Sequence, residues 1–482
     1  MIITTTVGRV RGNQRMGYAE FLGIPYAEAP VHGNRFAPPR PVTPWDGDYD
    51  TTAHGATAPR PPMGEGLLPE PTIDGGNCLN LNVYTPAPAR DSLPVLVWIH
   101  GGGFITGGNS SPWYHGGQFA RDGIVFAAIN YRLGPEGFLL TEEGGANRGI
   151  LDMVQALRWI RDNIGAFGGD PGQVTIAGQS AGAMSCLALL ACPAAAGLFR
   201  HVAAFSPGMP ILATPEEASQ VAAAFCAQLG VPARAADLSG VDLARRLQAE
   251  ELLLPDAFAA GRPRPPAGQR AARTGADALS WRPVLDGEVI AAGIPDALRD
   301  APIDALLIGT TTEEFNFTVW PADPPPGEDA CRQGFANLGF SPQDADRYHA
   351  AEPSGSWGQA LAQAHTDARF RLPVRCWADA SAAAGRPTYA YQFGWQSPAP
   401  FGAAHCLDLP FFFGNLGAEG ASRVLGPEPP ADMAIAMHGA LVSFVQSGNP
   451  GWPRYETADR KTMVFDCHQR VIEDPFPPAL LP

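Results

Sequence analysis

Lysine is all but missing from this chain: Lys461 is the sole lysine among 33 basic residues. A GC-rich, alanine-rich coding bias accounts for the skew, but the skew has a chemical consequence. A mechanism built on an active-site lysine, such as a Schiff base or a serine–lysine dyad, could draw only on Lys461. That residue ends the polar run Ala458-Asp459-Arg460-Lys461, which reads as a surface turn. Basic charge is also short in total, with 48 acidic residues and a net charge of −15. This argues against nucleic acid or an anionic membrane surface as the main partner. Paired metal-binding cysteines are absent. Cys78, Cys186, Cys192, Cys226, Cys331, Cys376, Cys406 and Cys467 make no C-x-x-C, and no H-E-x-x-H occurs, so no metal site is expected. No uncharged apolar run has the length and composition of a membrane span. The opening Met1-Ile2-Ile3-Thr4-Thr5-Thr6 lacks the basic segment and apolar run of a secretory leader. The expectation is a cytoplasmic chain without membrane partner and with mostly reduced cysteines.

What is present is ample material for a core: 482 residues, 45% of them hydrophobic. Residues 93–99 and 124–130 are short apolar runs of the kind that form buried central strands. Leu151, Val154, Leu157, Ile160 and Ile164 repeat at helical spacing over 150–164. A third strand, Val174-Thr175-Ile176-Ala177-Gly178, runs into an Ala/Leu-rich helix over 181–192 that Pro193 stops. Further strands are expected at 305–309 and 388–393. Strands alternating with helices imply right-handed βαβ units and a mostly parallel sheet, the α/β class. No repeat or composition break divides the chain, so one domain over 1–482 is expected. A lid or loop region falls within 210–300, with its Pro/Arg/Gly-rich stretch at 261–275 read as a surface loop.

Chemistry concentrates in two glycine-rich motifs. Gly178-Gln179-Ser180-Ala181-Gly182 stands between a strand and a helix. A serine on so sharp a turn needs small neighbours, and its hydroxyl projects above the sheet at a helix start, as a nucleophile's must. His100-Gly101-Gly102-Gly103-Phe104 directly follows the strand at 93–99. Such a loop offers backbone N–H groups to the oxyanion of a tetrahedral intermediate. Gly102, Gly103 and Ala181 are the expected donors. A serine hydroxyl is a poor nucleophile at neutral pH, so a base and an acid that orients it are also required.

These motifs, in order, resemble the type-B carboxylesterase family, which includes bacterial para-nitrobenzyl esterases, liver carboxylesterases and cholinesterases. The resemblance extends to Cys78-Leu79-Asn80-Leu81-Asn82-Val83, Asn130-Tyr131-Arg132-Leu133-Gly134, Phe167-Gly168-Gly169-Asp170-Pro171, Pro283-Val284-Leu285-Asp286-Gly287 and the segment from Phe444 to Pro450. It covers nearly the whole chain. It implies an α/β-hydrolase fold with a large mixed sheet and helical insertions over the active site. It also implies a Ser-acid-His triad and no cofactor. The family's acid aligns to Glu314 in Gly309-Thr310-Thr311-Thr312-Glu313-Glu314-Phe315, where Phe315 replaces the family's glycine. Its histidine aligns to His405 in Gly402-Ala403-Ala404-His405-Cys406-Leu407-Asp408-Leu409-Pro410. Gly76-Asn77 stands where family members carry Glu-Asp, so Arg35 must find a partner other than that glutamate. Phe104, Gln179, Phe317 and Thr318 are the expected substrate contacts.

The implied activity is hydrolysis of small to medium neutral esters through an acyl-enzyme. The same machinery could act on an amide, a carbamate or a lactone, because a triad does not encode the leaving group. An adhesion protein on the same fold is the rival from another class. Those relatives have lost the nucleophile, and here serine, acid and base are all present.

Overall fold

Why the two glycine motifs meet follows from strand order. The structure, a computed structural model, describes residues 1–62, 66–86, 92–254, 279–316, 326–399 and 401–475. Its strands are β1 (Ile2–Thr5), β2 (Gly8–Arg11), β3 (Asn13–Arg15), β4 (Tyr18–Pro25), β5 (Asp48–Asp50), β6 (Asn80–Thr85) and β7 (Leu93–Ile99). They continue with β8 (Val125–Ile129), β9 (Gly169–Gln179), β10 (His201–Phe205), β11 (Ala305–Thr311), β12 (Thr388–Phe393), β13 (Thr462–Phe465) and β14 (Arg470–Ile472). β1, β2 and β5 form a small sheet, and the other eleven form one large sheet in the order β14-β13-β12-β11-β10-β9-β7-β8-β6-β4-β3. From β13 across to β8 every pairing is parallel, and antiparallel strands close both edges.

The chain lays β8 on one side of β7 and then crosses to lay β9 on the other. Strand order therefore reverses at β7. In open parallel sheets a crevice forms beyond the carboxyl ends of the strands at such a reversal. The segments leaving β7 and β9 at that end are the two glycine motifs.

Alternation along β7 divides the interior into two layers. Val95, Val97 and Ile99 belong to a core shared with Ile150, Met153 and Leu157 of the helix Arg148–Asn163. The same core takes Leu187 of the helix Ala181–Leu190. Leu96 and Trp98 face the opposite layer, packed with Phe413 and with Met437 and Leu441 of the helix Ala431–Ser447. A strand buried on both faces has no polar side to show, which is why these segments are continuous apolar runs.

The expected strands at 93–99, 124–130, 305–309 and 388–393 are all formed, as are both expected helices. The third expected strand belongs to the longer β9. Within 210–300 the helices Pro215–Leu229, Ala235–Ser239, Leu243–Glu251 and Ile294–Asp300 are formed. The stretch 261–275 lies outside the described residues, as do Phe317 and Thr318.

The family motifs away from the site turn out to be scaffolding. Arg132 grips Asp152 with two hydrogen bonds of 2.8 and 2.6 Å, both side chains fully buried. Tyr131 stacks on His100 with ring centroids 4.4 Å apart and donates its hydroxyl to the His100 carbonyl at 3.0 Å, bracing the loop after β7 from below. Arg35 finds its partner in Glu136 at 2.9 Å, which Arg246 also approaches at 3.3 Å. All eight cysteines are free thiols. Lys461 immediately precedes β13, at the amino end of the parallel strands, and pairs with Asp459 at 2.6 Å. Among the described residues no helix is long and apolar enough to cross a membrane.

Candidate active site

Ser180 follows β9 with φ 55° and ψ −124°, a left-handed backbone that a side chain rarely accepts. Crowding enforces the turn. A Cβ on Gly182 would lie 2.0 Å from the Ile99 carbonyl oxygen, and one on Gly178 would lie 2.4 Å from the Gly182 carbonyl carbon. The strand, the turn and the helix Ala181–Leu190 can approach this closely only through glycine. Ala181 opens that helix, and the first N–H groups of a helix have no acceptor within it. That N–H is thereby left for a negatively charged atom beside Ser180.

Across from it, the loop after β7 turns through three successive left-handed residues: Gly102 (φ 102°), Gly103 (φ 61°) and Phe104 (φ 62°). A Cβ on Gly102 would sit 2.3 Å from the Thr106 carbonyl oxygen. Phe104 itself points away into the core. It is fully buried, edge-on to Phe138 at 4.9 Å, and its carbonyl accepts from the Gly134 N–H at 2.7 Å. Its place in the structure is to fasten the loop rather than to offer a surface, which corrects the expectation of a substrate contact.

Glu314 lies just beyond β11 and is fully buried. One carboxylate oxygen accepts the Thr311 N–H at 2.8 Å, and the other meets His405 Nδ1 at 2.5 Å. Glu313, one residue before, turns the other way. Its Oε2 accepts the Ala403 N–H at 2.7 Å, and its own N–H donates to the Ala403 carbonyl at 3.1 Å, so it braces the loop that carries His405. The other ring nitrogen of His405 lies 2.9 Å from Gln179 Nε2. Gln179 is 1% exposed, so its amide addresses the histidine and not solvent.

Burial opposes a charge on His405, but the Cys406 thiol and the Glu314 carboxylate outweigh it and raise the ring's proton affinity above that of an ordinary histidine. Burial, with Glu314 nearby, also pushes the Asp408 carboxyl up to about 7, although Tyr391 donates its hydroxyl to it at 2.7 Å. Burial lowers His100 to about 4, so at neutral pH it is an uncharged part of the loop.

Sequence reasoning did not find the wall beside His405. A π-helical turn, Asp367–Arg371, joins the helices Trp357–Thr366 and Leu372–Ala383. It sets the Phe370 ring 5.2 Å from that of His405. Phe315 extends the wall, 5.8 Å from Phe370 and stacked on His365 at 5.0 Å. The one signal was Phe315 itself, the aromatic residue standing where the family has glycine. Among the described residues no cluster of histidine, cysteine and carboxylate side chains could hold a metal ion.

Comparison with known proteins agrees with this geometry. The model of the carboxylesterase family matches residues 1–476. The chain belongs to the carboxylesterase family. It is similar to the para-nitrobenzyl esterase of Bacillus subtilis (strain 168), with 34% identity over 98% of this chain and 96% of that one. It is also similar to a phenmedipham hydrolase of Pseudarthrobacter oxydans, with 35% identity over 96% and 94% of the two chains. Among solved structures, a carboxylesterase of Geobacillus stearothermophilus superposes with a TM-score of 0.84 at 34% identity, covering 98% of each chain. This member of the carboxylesterase family is thus an α/β-hydrolase, and the activity of its family is carboxylic ester hydrolysis.

Proposed function

We propose that this carboxylesterase cleaves small to medium neutral esters by acyl transfer to Ser180. The observation that carries the reading is the buried contact between Glu314 and His405, on a loop that brings the outer ring nitrogen to the Gln179-Ser180 turn. His405 takes the Ser180 proton as the hydroxyl attacks the ester carbonyl. The N–H groups of Gly102, Gly103 and Ala181 receive the oxyanion. His405 then protonates the departing alcohol, and water, deprotonated by the same ring, releases the acid. Glu314 holds the ring with Nδ1–H toward itself and balances the positive charge that forms.

An organophosphonate should leave one adduct, on Ser180, read by mass spectrometry. Ser180→Ala should remove nearly all turnover of a nitrophenyl ester. An adduct at another residue together with an active Ser180→Ala enzyme would overturn the assignment. Matched ester and amide substrates then measure how far the machinery tolerates a poorer leaving group. A faster amide would move the reading to amide hydrolysis. The location we propose is the cytoplasm, in keeping with eight free thiols.

A further inference from the structure

Two polar groups address the His405 ring in the plane where its protons lie. Glu314 takes the Nδ1 side at 2.5 Å, and the Gln179 amide nitrogen takes the Nε2 side at 2.9 Å. An amide nitrogen can donate a hydrogen bond and cannot accept one. Nε2 must therefore be the acceptor, and the ring is the neutral tautomer with its proton on Nδ1, facing the carboxylate. Gln179 has little freedom to leave. It is 1% exposed, and its Oε1 lies 2.9 Å from where a Cβ of Gly101 would be.

We propose that Gln179 is a positioning residue for the hydrolysis, its carboxamide N–H holding the outer nitrogen of His405 in the proton-accepting form and opposing early protonation of the ring. This deepens the reading of His405 as the base and rests on it. A protonated ring would point Nε2–H at an N–H, so that state is disfavoured while the amide stays as it is. When the ring takes the Ser180 proton, the amide turns its carbonyl oxygen toward Nε2–H or withdraws. The residue thus separates a resting base that resists acid from a working one that accepts a single proton from serine. The other groups around the ring act in both directions. Glu314 favours the charged ring, with Cys406 and Asp408 on its own loop, Asp408 held by Tyr391 of β12. The π-helical turn contributes the uncharged Phe370, with His365 and Arg369 set behind Phe315. From the serine turn the facing group is Gln179.

The test compares the wild type with Gln179→Glu and Gln179→Leu. A carboxylate at this position accepts only, and leucine does neither. The acid limb of the kcat/KM profile for a neutral nitrophenyl ester should move to higher pH in both. The glutamate variant should move by about one unit or more and the leucine variant by less. The His405 ring titration, followed by NMR in a Ser180→Ala background, should give the same order without any turnover. If Ser180→Ala stays active, the nucleophile assignment fails, while the NMR order still tests Gln179. Should both variants lose rate with an unmoved limb and an unmoved ring titration, Gln179 only fills space and the proposal is wrong. A downward shift in the leucine variant would overturn it equally.

Discussion

At the scale of single residues, the adjacent pair Glu313 and Glu314 shows how one position divides two tasks. Glu314 meets the imidazole, and Glu313 meets the backbone of the loop that carries it. Glu314→Gln keeps the shape but removes the charge that balances an imidazolium, and kcat should fall about 10⁴-fold. Glu313→Gln keeps an oxygen able to accept the Ala403 N–H and should leave kcat within a few-fold of wild type. Glu313→Ala gives up that bond, and thermal unfolding should register a loss of about 1 kcal/mol. A reversed pattern of rates would show the register to be off by one.

Asp408 offers a test through pH. Its carboxyl, at about 7 in the folded protein, lies above the ordinary value of 3.8. A group raised by folding contributes stability that is complete below the unfolded value and is lost as pH rises through the folded one. Between about pH 4 and 7 wild type should therefore lose stability that Asp408→Asn does not lose. Relative to wild type, the Tm of the variant should climb across that window. A constant difference would show that Asp408 keeps an ordinary proton affinity.

At the scale of elements, close packing of β7 against the serine turn makes two glycines unequal to the rest. Gly182→Ala would drive a methyl group into the Ile99 carbonyl and cost about 3 kcal/mol or more, visible as a lower Tm or as insoluble protein. Gly165→Ala meets nothing within 4 Å and should be close to neutral. Equal effects would mean that the turn relaxes around the methyl group.

The same level explains what could be read in advance. Strands of the central sheet are buried on both faces, so their apolar runs announced them. The serine turn and the loop after β7 are written in contiguous glycines that crowding demands. Glu314 and His405 came through the resemblance alone, since one loop carboxylate among many has no local mark. The π-helical turn was not legible. It inserts a residue into a helical register, which periodicity at 3.6 does not reveal, and so Phe370 had no signal. Nor was the contact of Gln179 with His405, made across 226 positions of chain, visible in a pentapeptide. Glu136 as the partner of Arg35 belongs to the same class of long-range contact.

At the scale of the whole molecule, the charge of −15 draws cations toward the protein from a distance, but salt screens that pull. Recognition of a choline head requires an aromatic face at close range. Leu67 and Leu68 pack against the core in the segment where cholinesterase-like members carry tryptophan, and the residue before Ser180 is an uncharged amide. At moderate salt, kcat/KM for butyrylthiocholine should fall about tenfold or more below that for an uncharged thioester of equal length. A preference for the choline substrate would point to an aromatic cage elsewhere in the cleft.

The single lysine gives this molecule a handle with a built-in direction. Parallel strands carry the cleft at their carboxyl ends, and Lys461 lies at their amino end, its side chain 39% exposed. A reagent that acylates side-chain amines has one address, on the far side of the sheet from Ser180. Coupled through it to an activated resin, every tethered molecule should present its cleft to the flowing solution, and the immobilised enzyme should keep most of its specific activity. Lys461→Arg should abolish lysine-directed attachment without changing turnover in solution.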